Sequence, residues 1–148
     1  EFLISQESNS GIYFMGRYEI QVKDTWGKDE IGPHDSGAIY QRWDPERGEG
    51  NEGYDGHPPR VSACRKPGEW ESFDVIFRAP KFDPVGNKTQ DAEFEKVVQN
   101  GILIHEHATI SGPTRAAVSE DESPTGPLLL QGDHGPVAYR NLRIRSLD

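Results

Sequence analysis

The chain has 148 residues, the length of one ordinary domain, and the expectation is a single domain over 1–148. Its net charge of −9 sets a repulsive surface against any phosphate backbone, which argues against nucleic acid as a partner. No run of eighteen apolar residues exists to cross a membrane as a helix. Sixteen glycines and eleven prolines leave few uninterrupted helical stretches, so short strands joined by turns are the expected elements.

The opening Glu1-Phe2-Leu3-Ile4 reads as the interior of a strand, so the domain's first strands are expected to precede residue 1. Residues 11–15 form a short strand, and 17–23 a second. In the second, Tyr18, Ile20 and Val22 alternate with Glu19, Gln21 and Lys23, the period-two pattern of a half-buried strand. Gly16 between them marks either a tight turn or a bulge. A loop follows to Ser36, then a short strand over 37–40. Residues 44–56 hold four glycines and many acids, and read as a long surface loop able to line a cleft. Its acids do not meet the spacing of a calcium loop.

Trp70 onward reads as a strand, with Phe73, Val75 and Phe77 facing the core. Phe94 to Gln99 and Ile102 to Ile110 flank Asn100-Gly101, whose residues supply the two positive φ angles of a type I′ hairpin turn. Residues 111–125 are a polar loop, and 128–131 a strand ending in a Gly132-to-Pro136 turn. A last strand is expected over 137–147, with Arg143 and Arg145 facing solvent. At least eight short strands and no convincing helix point to an all-β antiparallel sandwich of jelly-roll type, two sheets whose curvature leaves a groove suited to a long polar ligand.

Chemistry concentrates in a few places. Glu19 and Gln21 share one strand face, which is either an ordinary wet surface or a groove wall carrying a carboxylate and an amide. Gln131 and His134 close another strand and its turn, and an imidazole titrates where protons are easily moved. His134 can equally be a simple turn residue. His105 and His107 lie two apart on a strand, so both rings could grip one metal if a third ligand were supplied elsewhere. Cys64 is alone, with no disulfide partner. Trp26, Trp43 and Tyr54 sit in or beside loops, where aromatic rings either stack on sugars or plug the end of a sandwich.

Five blocks taken in order carry a family resemblance. They are Asn9-Ser10-Gly11-Ile12-Tyr13-Phe14 with Arg17 to Asp24; Gly37-Ala38-Ile39-Tyr40; Pro67-Gly68-Glu69-Trp70 through Phe77-Arg78-Ala79-Pro80; Asn100-Gly101 with Gly112-Pro113-Thr114; and Gly126 to Gln131 with Asp133-His134-Gly135, Tyr139 and Arg140 to Arg145. Together they resemble the bacterial 3-keto-disaccharide hydrolase family over nearly the whole chain.

The resemblance implies a concanavalin-like sandwich, a glycoside substrate oxidised to a ketone at the third sugar carbon, and export to the periplasm or beyond. The ketone acidifies the neighbouring C2 hydrogen, so a base, an acid for the leaving oxygen and a holder for the enolate oxygen suffice for cleavage. Glu19 or His134 is the base, the other being the acid. Arg140 steadies the enolate oxygen, unless it is a structural arginine at the edge of the core paired to a carboxylate. Asn9, Gln21 and Gln131 hold hydroxyls. No cofactor and no metal ligand set are assigned. The alternative on the same scaffold is a carbohydrate-binding module without turnover.

Overall fold

The structure is a computed structural model, and it describes residues 1–147. It is an all-β antiparallel sandwich built around two three-stranded sheets. The strands are β1 (Phe2–Ile4), β2 (Asn9–Phe14), β3 (Tyr18–Lys23), β4 (Arg42–Trp43), β5 (Gly53–Tyr54), β6 (Phe73–Arg78), β7 (Lys81–Phe82), β8 (Lys88–Gln90), β9 (Ala92–Gln99), β10 (Ile102–Ile110), β11 (Leu129–Leu130) and β12 (Val137–Tyr139). One sheet has the order β11-β2-β3, the other β10-β9-β6. Single bridges from Ile20 to Ile39 and from Ile39 to His57 widen the first sheet beyond β3.

Two turns set the main registers. Met15 and Gly16 take φ of 57° and 66°, so Gly16 marks a tight turn and not a bulge, with the Arg17 N–H donating to the Phe14 carbonyl at 3.0 Å. The turn sets Tyr13 opposite Glu19 and Gly11 opposite Gln21. Asn100 and Gly101, at φ 52° and 83°, close the β9–β10 hairpin as their residue types require.

Between the sheets, Tyr18, Ile20 and Ile39 meet Phe94, Val97, Ile104 and Ile110, all fully buried. Phe94 stands edge-on to Phe14 with centroids 5.1 Å apart and is tilted against Phe77 at 5.0 Å. A second cluster of Phe2, Ile4 and Val22 continues the core under β1 and β12, and Phe73 touches both. The alternation of Phe73, Val75 and Phe77 is thus the core face of β6.

Several expectations change, the expected strand over 37–40 first, which reduces to a single bridging residue, Ile39. The last strand stops at Tyr139, and residues 140–147 lie exposed outside any strand. The acidic loop is not featureless: β4 and β5 pair across it, a 3₁₀ turn covers Pro45–Arg47, and Arg42 and Arg47 lie over the Tyr54 ring. His105 and His107 do not share a face. A bulge between Leu103 and His105, and φ of 53° at His107, part the two rings. His105 is buried and bonds the Gly37 carbonyl at 2.7 Å, whereas His107 is exposed and pairs with Glu93. No cluster of three or more His, Cys, Asp or Glu able to hold a metal occurs among the described residues.

Phe94→Ala is expected to lower the unfolding free energy by about 3–5 kcal/mol, since it empties the junction of three rings. Urea denaturation reads this directly, and a loss under about 1 kcal/mol would move the centre of the core elsewhere.

Candidate active site

The outer face of the β11-β2-β3 sheet is where the chemistry gathers. Gly11 of β2 lies between Gln21 of β3 and Gln131, whose N–H donates to the Gly11 carbonyl at 2.9 Å. One step along, Tyr13 lies between Leu129 and Glu19. Beyond β3, Ala38 and Tyr40 continue the same two rows, with the Tyr40 N–H on the Glu19 carbonyl and the Gln21 N–H on the Ala38 carbonyl, each at 2.9 Å. Asn9 is one step the other way, and its N–H donates to the carbonyl of His134 at 3.1 Å. Register therefore brings Asn9, Glu19, Gln21 and Gln131 to one side of one sheet, and the bond from Asn9 ties the His134 backbone to its edge.

The floor of this face is small by necessity. A Cβ at Gly11 would stand 2.0 Å from Oε1 of Glu19, so the carboxylate lies directly over the glycine. β3 is not half-wet: Glu19 is 2% exposed and Gln21 5%. Thr114 fixes the strand under Glu19, its hydroxyl accepting from the Glu19 N–H at 3.2 Å and donating to the Arg17 carbonyl at 3.0 Å.

Burial pushes the Glu19 carboxyl up to about 7; the neighbouring Tyr13 hydroxyl and the charge of His134 pull the other way and only partly offset it. Burial first, and then the charge and hydrogen bond of Glu19, raise Tyr13 far above the usual phenol range. The His134 ring is half-exposed and its Nδ1 pairs with Asp133 at 2.7 Å, leaving Nε2 as its free nitrogen.

Among the described residues, four buried side-chain atoms have no hydrogen-bond partner: Asn9 Oδ1, Gln21 Oε1, Gln131 Oε1 and Gln99 Oε1. The first three belong to this face. Each unmatched buried acceptor costs about 1–3 kcal/mol. Gln99 is apart from them, on β9, where its amide donates to Ser36 and to the buried Glu71.

Arg140 is elsewhere. Its Nε pairs with Glu1 at 2.8 Å and its guanidinium stacks on Trp70 at 3.7 Å. That is the arrangement of an edge arginine tied to a carboxylate. A cleft of ≈ 280 Å³ lined by Lys23, Lys28, His34 and Asp35 adjoins the face at its Lys23 end, and neither Glu19 nor His134 lines it. Tyr13, Tyr40 and Asp133 are site neighbours that residue chemistry did not single out. Tyr13 was reachable from the hairpin register once Gly16 was taken as a turn, and Asp133 as the neighbour of His134 in sequence.

The two-sheet antiparallel scaffold thus carries a buried carboxylate, an Asp–His pair and three amides with unmatched oxygens. The chain belongs to the family of 3-keto-alpha-glucoside-1,2-lyase-like domains, whose model matches residues 1–145. It is similar to a solved structure from Parabacteroides distasonis described as a glycosyl hydrolase, at 29% identity and a TM-score of 0.69 over 92% of this chain. The match spans 56% of that protein's chain. No curated protein matches.

Two outcomes are expected. Because the folded protein retains a Glu19 proton that the unfolded chain gives up, stability falls as pH rises from about 4.5 to about 7. Glu19→Gln flattens that slope and is the more stable protein above pH 7 in thermal unfolding scans. Gly11→Ala, which displaces the carboxylate, is expected to remove the slope as well by letting Glu19 into solvent.

Proposed function

We propose that this chain cleaves the glycosidic bond of 3-keto-glycosides by elimination followed by hydration. The single observation that carries the reading is Glu19, a buried carboxylate titrating near 7 and set among three unmatched amide oxygens. A base with that affinity for protons is poised to take one from carbon at neutral pH. The 1,2-lyase in the family's description names an elimination across the same two carbons.

In the proposed sequence, Glu19 removes the proton from C2, and the C–H electrons move into the enolate of the C3 ketone. The enolate collapses to a C1–C2 double bond conjugated to the ketone, and the C1–O bond to the leaving group breaks. His134, oriented by Asp133, protonates the departing oxygen. Water then adds across the double bond, its oxygen to C1 and a proton returned to C2. The phenol of Tyr40, one row with Glu19, is the donor for the enolate oxygen in place of Arg140. Asn9, Gln21 and Gln131 accept hydroxyls of the sugar ring.

A carbohydrate-binding module would use the same amides but has no need of a carboxylate held near neutrality in a buried position. The test is to incubate the protein with a 3-keto-disaccharide and with its parent sugar in deuterated water. The keto form alone is expected to be cleaved, with deuterium at C2 of the product. Glu19→Gln and His134→Ala are each expected to lose about 10²-fold or more in rate. Affinity without products would establish the binding module instead, and cleavage of the parent sugar would establish an ordinary glycosidase with an oxocarbenium-like transition state.

A further inference from the structure

A cleft of ≈ 490 Å³ opens at the end of the β2–β3 pair, lined by Ser5, Gln6, Asp24, Trp26, Lys66, Pro67 and Gly68. None of the Glu19-face residues lines it. Asp24 lies five positions beyond Glu19, which is about 16 Å along an extended chain. Trp26 is 55% exposed, the largest side chain left open to water at this end of the sandwich. Three other aromatics carry cations over their rings: Arg115 lies over Trp43, Arg140 over Trp70, and Arg42 and Arg47 over Tyr54.

The cleft walls are held in place. Asp24 accepts from the Glu7 N–H at 2.9 Å and from the Trp26 N–H at 3.3 Å, and its own N–H donates to the Ser8 carbonyl. The Gly68 N–H donates to the Ile4 carbonyl at 2.8 Å, so the third wall is tied to β1. An open indole on an anchored turn, beside a hydroxyl, an amide, a carboxylate and an ammonium, matches a pyranose. Such a ring has one C–H face to lie on the aromatic and hydroxyls around its edge. Asp24 and Lys66 balance in charge and the chain as a whole is strongly acidic, which favours a neutral sugar over an anionic one.

We propose that the Trp26 cleft is a second, non-catalytic saccharide site, which holds a neutral glycan while the Glu19 face acts on a keto sugar. It rests on the saccharide reading of the protein but not on the elimination mechanism. A protein built this way binds unoxidised glycan that it does not cleave, and stays on a glycan surface between turnovers.

The test is calorimetric titration of the full chain with neutral glucose pentasaccharides of α-1,4, β-1,4 and β-1,3 linkage, beside the rate on a 3-keto-disaccharide. At least one pentasaccharide is expected to bind. Trp26→Ala is expected to weaken that binding about tenfold or more, with an unchanged melting temperature and an unchanged rate on the keto-disaccharide. Glu19→Gln is expected to do the reverse, losing the rate and keeping the pentasaccharide. Absence of pentasaccharide binding in the unmodified protein, or binding untouched by Trp26→Ala, overturns the second site. Loss of the keto-disaccharide rate in folded Trp26→Ala overturns it too, by making the cleft part of the reacting site. Failure of the elimination reading shows instead as no cleavage by the unmodified protein, whatever the pentasaccharides do.

Discussion

The register of the β2–β3 hairpin governs both sides of the molecule at once. With Tyr13 opposite Glu19, the odd-numbered residues of β3 face the polar side and Tyr18, Ile20 and Val22 face the core. A slip of one residue would drive a carboxylate and an amide into the cluster around Phe94 and turn Ile20 outward. The register is fixed by three independent features: the positive-φ pair Met15-Gly16, the hydroxyl of Thr114 under Glu19, and the close approach of Glu19 to Gly11. The last of these couples fold and site, since only a residue without a side chain leaves room there for the carboxylate.

The polar face is stabilised by its surroundings and not by its own bonding. Leaving Asn9, Gln21 and Gln131 with unmatched oxygens, and Glu19 with a carboxyl that resists ionisation, works against folding. The aromatic packing of Phe14, Phe77 and Phe94 and the aliphatic layer behind it offset that cost. Three of the four unmatched buried oxygens among the described residues gather at the polar face, and the fourth, Gln99 Oε1, lies on β9.

The opposite sheet also reaches the site. His105 of β10 crosses to the Gly37 carbonyl, and the Gly37 N–H donates to the Gln21 carbonyl. Burial holds the His105 ring down at about 4, so it stays neutral and acts as a fixed strut between the sheets at physiological pH. Gly37 accepts this role because its φ is 81° and because a Cβ there would meet Ile104 and Gln99 under 3 Å away. A histidine that looked from spacing like half of a metal site is thereby a structural one.

Short-range patterns in the sequence were sufficient for β2, β3, β6 and the β9–β10 hairpin. Alternation over 18–23 and 73–77, and Asn100-Gly101, act through neighbours in the chain, and side-chain direction follows from period two without knowledge of what lies opposite. They also marked Glu19, Gln21, Gln131 and His134 as candidates for chemistry, whereas Asn9 entered only through the family resemblance. What the chain could not disclose is what depends on distant segments meeting. The bulge that parts His105 from His107 arises from pairing with β9. The tie of Arg140 to Glu1 joins residues 139 positions apart. The proton affinity of Glu19 was equally out of reach, because a carboxylate's environment is set by everything packed around it. Residue identity gave Glu19 an acid; only tertiary burial made it one that titrates near neutrality.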